Sequence, residues 1–423
     1  MEEESNFHFG WVIVGVCFIT LALVYSVWYA FSVFFVALLK EFGWSRSLGA
    51  GAFSLFVVIS GIVGPFAGKM MASTHPQRVL ICGSLLMGTG LILCSFTQTW
   101  WHFYLFFSLI TAVGLGATGW VPNVTLVQQW FKEKRGMAMG IISAGIGIGI
   151  LICVPSIQYL ILQLGWRITY RIIAVFIPFI VILLAILFVR QPPRLPSHHT
   201  DIGILEKTKK DPSVIDEEWV SRSWTIRKAL ATKPFWLLTS AFLLGSFMIQ
   251  SVFTHQVAFF IDHGLEPLFA SYLVGIVGIV SIGSKVLWGI LSDKIRREVL
   301  FTGGVICSIL GVLWLILFSQ IPTPIFPYLY GLFFGLGYAA HAALAPLIAA
   351  DFFEGQAFGG IFGMVMFFVG IGGASGAWFA GFLFDQTGSY LPVFVVLIGC
   401  ALVSCLNIWQ AAPRKIRRVS GKL

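Results

Sequence analysis

Residues 268–297 read LFASYLVGIVGIVSIGSKVLWGILSDKIRR. From Leu268 to Leu291 the run is apolar or small almost throughout, and it breaks at Asp293 into Lys294, Arg296 and Arg297. An α-helix needs about 20 largely apolar residues to cross the hydrocarbon core of a bilayer. Cations gathered directly behind such a run mark the membrane face on which it ends. The stretch therefore predicts a transmembrane helix over 268–291 with one charge inside it, Lys285.

Equivalent runs lie near 10–38, 48–72, 78–98, 102–130, 137–163 and 168–189, and again near 235–260, 299–319, 325–349, 358–384 and 390–410. With 268–291 they make six, a polar stretch, then six. The predicted fold class is an all-α membrane protein of twelve transmembrane helices in two pseudo-symmetric six-helix bundles. Residues 1–190 form the first bundle, 191–232 a cytoplasmic linker, and 233–423 the second bundle with a cytoplasmic tail. Composition agrees: 58% of the 423 residues are hydrophobic and 11% charged, against roughly a quarter charged in soluble domains. A soluble protein this apolar could not cover its own surface.

The net charge of +9 is a matter of placement. Of 27 Lys and Arg, 22 fall on the side shared by the two ends of the chain and the linker. Four (Lys40, Arg46, Arg167, Arg171) fall on the other side, and Lys285 falls within a span. By the positive-inside rule both termini are expected in the cytoplasm, in a cell or plasma membrane, with no nucleic-acid partner implied. The seven cysteines sit in apolar runs without CxxC spacing and read as small buried hydrophobes, with no metal site or cofactor indicated. The first apolar run is too long for a cleaved signal peptide.

The two halves repeat. FKEKRGMAMG (131–140) and FEGQAFGGIFG (353–363) each follow the fourth span of their half, with glycines four apart at Gly136/Gly140 and Gly359/Gly363. Gly68 with Arg78 and Gly289 with Arg297 both follow a second span, at an offset close to 220 residues. Parallel repeats of this kind suit a carrier that rocks two bundles about a central site. The glycines themselves are expected mainly to let helices pack closely.

Gly289-Ile290-Leu291-Ser292-Asp293-Lys294-Ile295-Arg296-Arg297 resembles the G-x-L-x-D-R/K-x-x-R signature of the major facilitator superfamily, whose fold it implies. The first-half copy is degenerate, with Ala72 where the acid would stand. Trp130-Phe131 and then Lys134-Arg135-Gly136-Met137-Ala138-Met139-Gly140 resemble the W-F-x-x-K-R-G-x-A-x-G loop of the monocarboxylate transporter and oxalate/formate antiporter families. Gly145, Gly147 and Gly149 before Pro155, Phe9-Gly10-Trp11, and Phe42-Gly43-Trp44-Ser45-Arg46 are similar to the same group. The resemblance implies a gating motif of Gly289, Asp293, Arg297 and Arg135.

A lysine near the bilayer centre costs about 2.5–3.5 kcal/mol on insertion scales. Lys285 stands eight residues before Asp293, about 12 Å along a helix, which is a long reach for a side chain snorkelling to the interface. No carboxylate lies well inside any predicted span. An unpaired cation in a low-dielectric cavity favours an anion, so Lys285 is the candidate carboxylate receiver. The carboxylate carriers that the chain resembles imply a cation at this point, normally arginine; lysine offers a point charge in place of a fork. Ser281 replaces the Asp that some of them carry one turn earlier. Tyr25, Tyr29, Asn123 and Tyr338 are the polar candidates for the rest of the substrate site. His255 and His341 are the intramembrane histidines and hence the proton-coupling candidates.

The resulting expectation is a monomeric carrier, not an enzyme, for a small organic monoanion such as lactate or pyruvate. It would be driven by proton symport through alternating access. Anion exchange of the oxalate/formate type, or transport of a non-carboxylate solute on the same scaffold, are the alternatives.

Overall fold

In lipid no water satisfies backbone N–H and C=O groups, so a chain this apolar must close its hydrogen bonds inside helices. The computed structural model describes residues 2–73, 76–131, 135–190, 215–220, 222–353, 355 and 357–416. In the first half it contains α1 (Glu2–Phe42), α2 (Arg46–Ser73), α3 (Pro76–Cys94), α4 (Trp100–Trp130), α5 (135–164) and α6 (166–188). The second half has α7 (Lys233–Asp262), α8 (Pro267–Ser292), α9 (Arg297–Gln320), α10 (Ile325–Phe353), α11 (Phe358–Thr387) and α12 (Leu391–Ala411). All twelve expected spans are present. Most of the expected linker, including 191–214, and the tail beyond 416 lie outside the described residues, as does the side chain of Arg135.

Left-handed glycines set the turns at the end of the bundle remote from the linker, here the far end. Gly43 follows α1 and Gly264 follows α7, with φ of +63° and +85°. Gly165 separates α5 from α6 and Gly388 ends α11, with φ of +79° and +67°. A side chain disfavours that conformation, which glycine accepts. The pairs stand 221 and 223 residues apart, so the repeat read from the linker-end motifs also governs the opposite turns.

The halves meet along α2 with α11, α5 with α8, and α1 with α7. Away from that seam, bulky side chains face outward, among them Val175, Phe176 and Phe179 on α6 and Leu406 on α12. A water-soluble surface would not carry such a continuous apolar face. The glycine expectation is met unevenly. A Cβ on Gly147 would lie 2.9 Å from the Gly278 carbonyl oxygen, so α5 and α8 touch backbone to backbone there. At Gly136, Gly140, Gly289, Gly359 and Gly363 it would meet nothing within 4 Å. These five linker-end glycines stand in open space in this conformation, whereas Gly147 and Gly278 hold the α5–α8 crossing.

Asn123 has a local task. α4 breaks at Gly119 (ψ −149°), and the Asn123 amide donates to the Thr118 and Gly119 carbonyls at 2.7 and 2.8 Å. Unmade buried hydrogen bonds cost about 1–3 kcal/mol each. Asn123→Leu is therefore expected to lower the thermal unfolding midpoint of the purified protein clearly. An unchanged midpoint would remove this bracing role.

Candidate functional site

The crossing of α5 and α8 at Gly147 and Gly278 sets what lies around Lys285. One turn from Gly147 stands Ser143, two turns from Gly278 stands Lys285, and the Lys285 Nζ donates to Ser143 Oγ at 3.2 Å. On the other flank Trp288 Nε1 donates to the Leu336 carbonyl at 2.9 Å, tying α8 to α10. That tie presents Tyr338 with its ring centroid 5.6 Å from Nζ. The distance falls within cation–π range.

Tyr338 then reaches across the molecule. Its hydroxyl and that of Tyr29 on α1 are hydrogen-bonded at 2.8 Å, a contact between the halves. Phe253 on α7 packs edge-on against both rings, with centroids at 5.0 and 5.2 Å. Tyr25 lies one turn before Tyr29 on α1, with its ring 5.9 Å from that of Trp28. Lys285, Tyr338 and Tyr29 thus form one constellation between the halves, built from α1, α8 and α10 with Ser143 and Phe253 added by α5 and α7 and Tyr25 one turn away on α1. No carboxylate among the described residues makes an ion pair with Lys285. An ammonium has three N–H donors and this one spends a single bond, on a neutral hydroxyl. The arrangement can hold one anionic group beside an aromatic wall.

The other predicted residues lie elsewhere. Asn123 is buried beneath α1, where the Cys17 thiol approaches its backbone oxygen, and its amide nitrogen is spent on α4. His341, one turn beyond Tyr338, packs against the Phe242 ring and lines a cavity of about 20 Å³ with Gly245, Ser308 and Ser404. Its Nε2 is buried without a hydrogen-bond partner. Such a volume holds one water. Lys285 does not line that cavity, which belongs to the interior of the second half. His255 sits toward the far end with both nitrogens engaged, Nδ1 with the Tyr390 hydroxyl and Nε2 with the Ala377 carbonyl, each at 3.0 Å.

Of the expected gating motif, Asp293 is exposed at the end of α8 and forms no ion pair among the described residues. Arg297 binds Asp351 on α10 at 3.1 Å and the Ser292 carbonyl, both within the second half. With Gly289 beside it in open space, the motif residues whose side chains are described make their contacts within the second half.

Ser143 and Phe253 escaped the sequence reading. Ser143 is a single hydroxyl in a glycine-rich helix, and Phe253 is one of 40 phenylalanines. Nothing in either local pattern separates them from packing residues.

Residues 17–354, and in a second overlapping match residues 285–422, fit the family described as Major Facilitator Superfamily. Rat (Rattus norvegicus) monocarboxylate transporter 12 is 27% identical over 410 residues, covering 93% of this chain and 83% of the relative. Rat monocarboxylate transporter 13 is 26% identical over 436 residues, covering 98% and 94%. Human monocarboxylate transporter 2 is 24% identical and covers 95% and 84%. Among solved structures, a bacterial homolog of the human lysosomal transporter Spinster, in an inward-facing and unoccupied conformation, superposes with a TM-score of 0.67. It is 15% identical and covers 96% of this chain and 94% of its own, which is a likeness of fold.

Proposed function

This chain belongs to the Major Facilitator Superfamily, a carrier and not an enzyme, and on that footing we propose that it moves a small organic monocarboxylate with a proton. The observation that supports this reading is the position of Lys285. It is a cation within a membrane-length helix, approached by a hydroxyl and an aromatic face, without an acid partner among the described residues. One cation suits a monoanion of the lactate or pyruvate kind, and the names of the relatives point the same way. In this reading Tyr29, Tyr338 and Tyr25 donate to the substrate and Phe253 shapes its apolar side.

The units that move are residues 1–190 and 233–423, joined by 191–232, in a monomer whose linker end faces the cytoplasm of a cell expressing it in the plasma membrane. His341 is the better placed of the two histidines to take a proton. Its Nε2 is unengaged and one turn from Tyr338, whereas both nitrogens of His255 are spent.

Uptake into proteoliposomes tests coupling. An inward proton gradient alone is expected to drive accumulation of labelled lactate or pyruvate. Accumulation only against a preloaded carboxylate would replace symport by exchange. No carboxylate transport under either condition, with a neutral or cationic solute carried instead, would overturn the substrate class.

A further inference from the structure

Arg46 opens α2 on the far side of the molecule, and it carries more contacts between the halves than any residue of the Lys285 site. Its guanidinium binds Asp262, the last residue of α7, at 2.5 Å and the hydroxyl of Tyr390, which precedes α12. The guanidinium carbon lies 3.7 Å from the ring centroid of Phe384 on α11. Its backbone N–H and that of Ser47 both donate to the carboxylate of Asp385, at 2.8 Å each. The Ser45 hydroxyl takes the Leu48 N–H at 3.2 Å. Three of the free N–H groups at the start of α2 are therefore satisfied, two of them by an acid from the opposite half.

The contact continues inward in a fixed donor order. Arg46 donates to the Tyr390 oxygen, Tyr390 donates to His255 Nδ1, and His255 Nε2–H donates to the Ala377 carbonyl. Beside it, Gly381 of α11 faces the Arg46 backbone with no room for a Cβ, which would lie 2.6 Å from the Arg46 carbonyl oxygen. Two turns further in, Ser54 Oγ donates to the Ala374 carbonyl at 2.5 Å. The Arg46 side chain is 14% exposed and that of Asp262 37%.

We propose that Arg46 is the latch of the far-end gate: its bonds to Asp262, Asp385 and Tyr390 hold α2 against α7, α11 and α12 and must break for the far end to open. The physical argument is one of grouping. Charge-assisted bonds are the stronger ones, and here they converge on one residue of the first half from three elements of the second. The charged contacts between the halves described above lie at this far end, while at the linker end Arg297 binds Asp351 of its own half. Opening would replace all of them with water together, which makes the transition two-state rather than gradual. The proposal rests on the carrier fold and is independent of the substrate reading.

The test uses introduced-cysteine reporters in nanodiscs, where a hydrophilic maleimide reaches both faces and membrane orientation does not matter. Ser54→Cys reports the far-end seam and Gly289→Cys the linker end, with the unsubstituted protein as the background for its own seven cysteines. Adding Arg46→Ala is expected to raise labelling at position 54 about tenfold and to lower it at position 289, since a population shift moves the two in opposite directions. Asp262→Asn with Asp385→Asn is expected to reproduce that pattern, and Arg46→Ala on top of the pair is expected to add little. Labelling unchanged at both positions overturns the latch. Labelling raised at both positions shows a loosened fold and also overturns it.

Discussion

Lys285→Ala is expected to abolish measurable carboxylate transport while leaving a protein at least as stable as the parent. The transport side follows from charge. Removing one partner of a buried charge pair costs about 2–5 kcal/mol, or roughly 30- to 5,000-fold in affinity. The stability side has the opposite sign. In the empty carrier Nζ has one hydroxyl and an aromatic face, without a carboxylate among the described residues. That is a half-buried cation inside an apolar span with poor compensation. Deleting it removes a cost from the folded state, so Lys285→Met, which keeps the stem, is expected to raise the thermal midpoint by a few degrees. Lys285→Arg keeps the charge and adds a fork, and is expected to retain transport within about tenfold. Radiolabelled uptake and thermal unfolding on the same preparations check all three. Unchanged uptake in Lys285→Ala would remove the lysine from the site. A fall in stability alongside lost uptake would make it a structural residue.

That pairing of lost function with gained stability also explains why the site was partly legible. Lys285 was visible because apolar runs leave charge nowhere to hide, and a single cation in a span has few structural uses. The twelve spans were visible for the same reason, since the bilayer permits one secondary structure and fixes its length. Tyr29 and Tyr338 are legible as polar groups inside apolar runs. Their contact is 309 residues apart in sequence and depends on how the halves meet. Asn123 carried the same signal as the tyrosines, yet its amide serves the break at Gly119, because a helix interrupted in lipid needs its freed carbonyls met. Arg46 shows a different limit. Counted as one of four charges on the far side, it served topology. The same residue joins four side chains of the opposite half, and no local pattern around FGWSR distinguishes a charge facing solvent from one facing a second bundle.

The glycines divide into two classes by the same logic, and substitution should separate them. Gly376 on α11 packs on α7 so closely that a Cβ would fall 2.8 Å from the Phe247 carbonyl carbon and Cα. Ser251 seals that contact with hydrogen bonds of 2.7 Å to the Phe247 and Gly376 carbonyls. There is no side chain to move aside, only backbone. Gly376→Leu is expected to cost about 3 kcal/mol or more and to leave little monodisperse protein on size-exclusion chromatography. At Gly289 an added Cβ meets nothing within 4 Å in the present conformation, and Gly289→Leu places leucine there. It is expected to fold with a thermal midpoint within about two degrees of the parent, in line with an ordinary exposed substitution. Its uptake is nonetheless expected to fall about tenfold or more, because small residues at the linker end matter only when the helices there close. If Gly289→Leu transported normally, α8 would not need a close approach at that end in any state. If it failed to fold, the open space around it would not represent the resting protein. A residue that is spacious in one conformation and constrained in the other is what a rocking carrier requires at the end opposite its latched gate.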